Sequence, residues 1–159
     1  MERVDQAATS EQEFGEIFAR DYYCADSYAV DRAVSKRSFH LAKAQAGLVP
    51  VARFSGYALG VRRTWKHIRQ GPSNLYVIWF PLEGSVSVTQ DEAHGEVVSN
   101  QQMVITCGDR PFHIKALTDT GQSRSSQLHI LVPKHLMRTH LPEIDRLCGK
   151  PYSADSGEA

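Results

Sequence analysis

The chain has 159 residues, is 42% apolar and 23% charged, which fits a single folded domain and excludes a chain disordered throughout. Eighteen Lys and Arg balance eighteen Asp and Glu, so the chain has no global basic field for attracting nucleic acid. No apolar run approaches the roughly 20 residues that span a bilayer, the N-terminus Met1-Glu2-Arg3-Val4-Asp5-Gln6 has no leader pattern, and Cys24, Cys107 and Cys148 have neither disulfide nor zinc spacing. A reduced, cytoplasmic protein with no membrane contact is expected.

Residues 1–36 read as a helical segment. Ser10-Glu11-Gln12-Glu13 has the form of a capping box and opens a run with Phe14, Ile17 and Phe18 at helical spacing, which predicts a helix ending near Tyr23. From 37 to 133 the pattern changes to short stretches rich in Val, Ile, Leu, Phe and Tyr, punctuated by Gly, Pro, Asn and Asp. Strands are predicted at 37–46, 48–54, 57–64, 74–82, 85–90, 95–98, 103–107, 111–117 and 126–132, the spacing of a sandwich or barrel. Leu75 to Leu82 is apolar at every position, so both faces are buried or one lines a cavity. Tyr76, Ile78 and Phe80 share one face of that strand, Val77 and Trp79 the other, and the sequence assigns neither face to the cavity. Ser85 to Thr89 alternates and should keep one wet face. Residues 134–148 read as helical again, with Pro133 at the start, Pro142 as a stop and a second short helix to Leu147. Residues 149–159 read as a flexible tail.

Seven histidines invite a metal search, but no His-x-His occurs, and that pattern is what would place two imidazoles inward on one strand. A cross-strand set of His40, His113 and His129 competes with separate strand and surface histidines. Cys107 precedes His113 by six residues across a turn, without any nucleophile-turn motif around either. No glycine-rich loop opens a helix to cradle phosphate. Enzyme activity, metal and cofactor are therefore not indicated. The cluster Arg62-Arg63-Thr64-Trp65-Lys66-His67-Ile68-Arg69 puts its two leading arginines on opposite faces of a strand. One can point into a cavity and meet a carboxylate, with Trp65 as an aromatic lid; a charged, solvated edge strand explains the same residues. Arg63, His113 or Tyr57 could supply the few convergent polar groups that an otherwise apolar pocket needs.

The succession Arg62-Arg63-Thr64-Trp65, Tyr76-Val77-Ile78-Trp79-Phe80-Pro81-Leu82-Glu83-Gly84, Gln90-Asp91, Met103-Val104-Ile105-Thr106, Arg110-Pro111-Phe112 and Leu128 to Pro133 resembles the N-terminal ligand-binding and dimerisation domain of AraC-type transcriptional regulators. The likeness is to types that sense aromatic amines and related small organics, and it covers residues 37–147. It implies a mainly β, cupin-like double-stranded barrel with an N-terminal helix and one or two C-terminal helices. It also implies a small organic effector, an aromatic amine or carboxylate, and a homodimer. DNA would be contacted by a separate helix-turn-helix domain, so a sequence ending at Ala159 is expected to be a fragment or a stand-alone sensor. The ligand-binding residues expected on these grounds are Arg63, Trp65, Tyr76, Ile78, Trp79, Phe80, His113 and His129. A ligand-free pairing scaffold is the alternative, and a metal-dependent cupin enzyme a more distant one. Where the family carries Gly-x-Gly-Asp, this chain reads Ser99-Asn100-Gln101-Gln102, and Asn100 is expected to take the positive φ of the turn.

Overall fold

The structure, a computed structural model, describes residues 3–8, 10–30, 38–90, 95–118 and 124–153. Its order is β1 (Arg3–Ala8), α1 (Glu11–Asp21), β2 (Asp26–Ala29), β3 (Phe39–Ala46), β4 (Val49–Tyr57), β5 (Leu59–Arg63) and α2 (Trp65–Gln70), then β6 (Leu75–Glu83), β7 (Ser85–Gln90), β8 (Glu96–Val98), β9 (Gln102–Cys107), β10 (Phe112–Leu117), β11 (Arg124–Pro133), α3 (Lys134–His140), α4 (Ile144–Leu147) and β12 (Pro151–Ser153). Two antiparallel sheets form, one of seven strands in the order β1-β3-β4-β11-β6-β9-β12 and one of five in the order β2-β5-β10-β7-β8. This is a mainly β, cupin-like architecture. None of the described helices is long and apolar enough to cross a membrane.

Side-chain alternation sorts the core into two layers. The larger lies between the sheets and takes Val86 and Val88 of β7, Ile114 of β10, and Phe39, Phe54 and Val77 of the large sheet. Phe14 and Phe18, four apart on α1, bury one stripe of that helix in the same layer, each burial stabilising by about 1.5–3 kcal/mol. The Ser10 hydroxyl accepts from the Glu13 amide at 3.1 Å, which starts α1 where the capping box places it. The second layer lies on the far side of β6, β9 and β11, where Met137 of α3 and Ile144 of α4 cover Tyr76, Ile105 and Val132.

Several segments differ from the sequence expectation. The N-terminal segment is not wholly helical: β1 pairs with β3 before α1, and β2 pairs with β5 after it, because both sheets offer open edges to short extended pieces. The expected strand 57–64 divides between two sheets. The chain crosses from β4 to β5 at Ala58, just after Gly56, whose φ of +145° and close approach to the Ser38 carbonyl leave no room for a Cβ. The basic cluster is not one strand, since Arg62 and Arg63 end β5 and Trp65 opens α2. The His67 ring turns back to that helix start, its Nδ1 accepting from the Thr64 amide at 3.0 Å. Positive φ falls on Gln101, at 68°, rather than on Asn100. The tail expected to be flexible from residue 149 contributes β12, paired with β9. The expected turn at Asp91 and His94, most of the turn from Thr118 to Gly121, residues 31–37 and the end of the tail lie outside the described residues.

Candidate ligand-binding site

Register across the large sheet builds the site. Lys43 pairs with Ala52, Ala52 with His129, His129 with Trp79, and Trp79 with Val104. Paired residues in register point the same way, so these five share the face turned toward the smaller sheet. Val77 and Trp79 therefore form the inward face of β6. Tyr76, Ile78 and Phe80 face the other way, Tyr76 and Ile78 against the layer packed under α3 and α4.

His129 is 4% exposed, and its ring meets the Trp79 ring edge-on at 4.4 Å between centroids. Tyr22, at the C-terminal end of α1, inserts from the helix side. Its ring stacks on Phe18 at 4.3 Å and lies 6.4 Å from Trp79. The Tyr22 hydroxyl is 2.6 Å from His129 Nδ1, and His129 Nε2 is 3.2 Å from Gln127 Oε1. A carbonyl oxygen only accepts, so Nε2 carries the proton and Nδ1 accepts from the phenol. Burial raises the Tyr22 phenol well above its ordinary value and pushes the His129 imidazole down to about 3, so the pair is neutral on both sides. Trp79 Nε1 donates to Thr106 Oγ1 at 2.8 Å. Among the described residues, the hydroxyls of Ser125 and Ser126 are buried without a partner, which adds unspent polarity to this strand.

A cleft of about 320 Å³ opens at one end of the inward face, lined by Asp21, Lys43, Gln45, Pro50, Ala52 and Leu131. Lys43 Nζ lies 2.8 Å from Asp21 Oδ2, and Arg20 grips the same carboxylate with two hydrogen bonds at 3.0 Å. Burial works to raise the Asp21 carboxyl, but the hydrogen bonds from Arg20 and Lys43 outweigh it and hold the group below its ordinary value.

The eight residues expected from the sequence fall in three places. Trp79 and His129 meet in the interior. Arg63, Trp65 and His113 border a groove of about 210 Å³ at the end of β5, His113 from the outward face of the small sheet and Arg63 from the inward one. Tyr76 and Ile78 lie beneath the C-terminal helices, with half-buried Phe80 on the same strand face. Arg63 is 1% exposed and meets three backbone carbonyls in place of the expected carboxylate. Nε donates to Gly108 O at 2.7 Å, Nη2 to Gly71 O at 2.6 Å and Nη1 to Cys24 O, with the guanidinium 4.8 Å from the Tyr23 ring centre. Trp65 is 56% exposed. His113 Nε2 lies 2.5 Å from the Tyr28 hydroxyl, and burial, then Arg62 and Lys115, lower its pKa. His113 is on the small sheet, His129 and exposed His40 on the large one. Among the described residues no three His, Cys, Asp or Glu converge on a metal position.

Tyr76 anchors the helices. Its hydroxyl donates to Asp145 Oδ1 at 2.6 Å and accepts from Arg138 Nε at 3.0 Å, while Arg138 Nη2 reaches Asp145 Oδ2 at 3.2 Å. The Tyr76 hydrogen bond, followed by the Arg138 charge, holds the Asp145 carboxyl below its ordinary value. This contribution to stability is full above the unfolded pKa of about 4 and disappears as pH falls through the lower folded value. Tyr76→Phe is expected to cost about 1 kcal/mol at pH 7 and to flatten the acid limb below pH ~4. Urea melts at pH 7 and pH 3 check both, and an unchanged acid limb would exclude the Tyr76 contribution.

Sequence reasoning missed Asp21, Tyr22, Lys43, Thr106 and Gln127. Two signals were present: Phe14, Phe18 and Tyr22 recur every four residues on one helix face, and Gln127-x-His129 puts two polar groups on a strand face that Leu131 continues as apolar.

Two facing antiparallel sheets with an apolar, aromatic interior that holds a few buried polar groups define a cupin-like β domain. Residues 18–159 match the AraC-binding-like domain, and the chain belongs to that family. Among solved structures it is similar to the AraC-like transcriptional activator CuxR, at 11% identity and a TM-score of 0.79, over 96% of this chain and 55% of that one. The present chain thus spans about half the length of that activator. Lower similarities extend to the cupin domain of Schizosaccharomyces pombe Cnp3, at 14% identity and a TM-score of 0.45 over 70% of this chain and 73% of that one. A cupin superfamily protein of Desulfitobacterium hafniense shares 15% identity at a TM-score of 0.41, over 57% of this chain and 72% of that one. None of the curated proteins searched matches the sequence.

Proposed function

We propose that this chain is the effector-binding and pairing module of an AraC-type transcriptional regulator, acting in the cytoplasm as a homodimer without a catalytic step of its own. The observation that carries the reading is the neutral Tyr22–His129–Gln127 chain beside Trp79, a polar device set in an apolar interior, with the Asp21–Lys43 cleft on the neighbouring strands of the same sheet face. The effector is a small organic molecule, an aromatic amine or carboxylate by the family resemblance, bound with Trp79 and His129. Tyr76 and Ile78 support the helices that pair subunits, and Phe80 continues their strand face beyond that layer. Arg63, Trp65 and His113 shape the groove at the end of β5, and DNA is contacted by another domain. Burial raises the Cys107 thiol, which speaks against a nucleophile there. Signalling is a population shift: an effector that binds one arrangement of α1 and the barrel better than another changes what the C-terminal helices present.

A thermal-shift screen of small aromatic acids and amines tests the reading. A ligand at 100 times its Kd contributes about 2.7 kcal/mol, which for a domain of this size raises Tm by about 5–10 °C. No stabilising compound in a broad library would remove the sensor role and leave a pairing scaffold. A monomer in sedimentation at micromolar concentration would remove the pairing role.

A further inference from the structure

The site is already filled by the chain itself. Asp21 and Tyr22 are consecutive residues at the end of α1. One delivers a carboxylate to Lys43 at the cleft, and the other delivers a phenol to His129 in the interior. Lys43 and His129 stand in one cross-strand row with only Ala52 between them, so their backbones are about 10 Å apart. Ala52 puts no long side chain between the two polar ends, and the cleft runs from Lys43 to Ala52 and Leu131, stopping short of His129. An aromatic ring held between Phe18 and Trp79 joins the ends.

Resting on the effector-binding reading above, we infer that Asp21-Tyr22 is an internal surrogate ligand, and that the effector is a phenolic carboxylic acid that displaces it. The tautomer dictates the hydroxyl. With Nε2 donating to Gln127, Nδ1 is a buried acceptor, and a newcomer that cannot donate to it leaves that acceptor unsatisfied. An ether or a bare ring therefore fits the space and fails the hydrogen bond. Lys43 dictates the acid, because withdrawing Asp21 from the cleft leaves the Lys43 ammonium, which lines it, without its carboxylate. Displacement acts on one joint: Asp21 is the last residue of α1 and Tyr22 its C-cap, so a ligand that replaces both side chains frees the helix end, and α1 with its Phe14 and Phe18 stripe must repack. Binding at the cleft is thereby converted into movement of the N-terminal helix.

Calorimetric titration with 4-hydroxyphenylacetate, 4-methoxyphenylacetate and 4-hydroxyphenylethanol separates the requirements. In the unmodified chain the phenolic acid is expected to bind at least about tenfold more tightly than the ether, which cannot donate, and than the alcohol, which lacks the anion. Tyr22→Phe keeps the ring and its packing but removes the competing donor, so this variant is expected to bind the phenolic acid about tenfold more tightly than the unmodified chain does. Equal affinity for acid and ether, or no gain in Tyr22→Phe, overturns the surrogate. Should Tyr22→Phe fail to fold, the comparison of the three compounds on the unmodified chain decides. Binding of none of the three also overturns this ligand class. If the broader thermal-shift screen still finds a stabilising compound, effector binding stands and only the phenolic acid falls; if it finds none, both fall.

Discussion

Arg63→Met is expected to lower the unfolding free energy by about 3–5 kcal/mol, one of the two largest effects of any single substitution considered for this chain. The guanidinium closes three segments that are distant in sequence, through the carbonyls of Cys24, Gly71 and Gly108. Hydrogen bonds to a charged donor are worth about 1.5–3 kcal/mol each, and removing the donor leaves the acceptors without their partner. Burial lowers the Arg63 pKa, with neighbouring Tyr23 opposing the shift, yet the group stays charged at any ordinary pH. Methionine keeps much of the stem's volume, so the loss reports on the hydrogen bonds more than on packing. The adjacent Arg62 is the internal control. It is exposed and only loosely paired with Asp26 at 3.9 Å, so Arg62→Met is expected to change stability by less than about 0.5 kcal/mol. Urea denaturation of the two variants side by side checks this; equal effects would refute the structural role of Arg63.

Trp79→Ala is expected to cost a comparable 3–5 kcal/mol, the range for removing a buried aromatic ring. Trp79 is 2% exposed and touches the site on two sides: its indole N–H satisfies Thr106, and its ring edge meets His129. Truncation leaves a cavity beside the Tyr22 ring and an unpaired hydroxyl on β9. Thermal melts of this variant are expected to fall by roughly 10 °C or more. Trp79→Phe keeps most of the ring volume and loses only the N–H, so it is the variant in which weakened effector affinity can be read apart from unfolding. An alanine variant as stable as the parent would mean that the interior closes around the gap, contrary to the tight register of the Lys43-to-Val104 row.

The parts of the fold visible in the sequence are those in which pattern and burial agree. The apolar run from Leu75 and the alternation from Ser85 became β6 and β7 because each strand's exposure to the core is set by its own residues. β1, β2 and β12 were invisible for the opposite reason. They are three to six residues long, and their extended form comes from an open neighbouring edge. The opposed orientations of Arg62 and Arg63 followed from strand geometry, whereas the partners of Arg63 did not, since backbone carbonyls carry no sequence signature. The site shows the same division. Trp79 and His129 were recognisable as residue types on a central strand and its neighbour. Their union with Tyr22 depends on where α1 crosses the barrel, which no local spacing encodes. The interior face of β6 became identifiable only once α3 and α4 were seen to occupy the other.

The seven-stranded sheet is held unevenly. β11 is hydrogen-bonded on both sides, to β4 and β6, whereas β1 and β12 each hold a single neighbour and lie at opposite edges. Local opening therefore begins at the two rims and reaches the His129 strand last. Pro151 of β12 pairs with Val104 and Val4 of β1 pairs with Lys43, so each edge strand extends the Trp79 row by one residue. The two ends of the described chain thus act as clasps on either end of one row of side chains. Tension or release at either clasp is felt first at the cation or at the valine, and only afterwards at the imidazole between them.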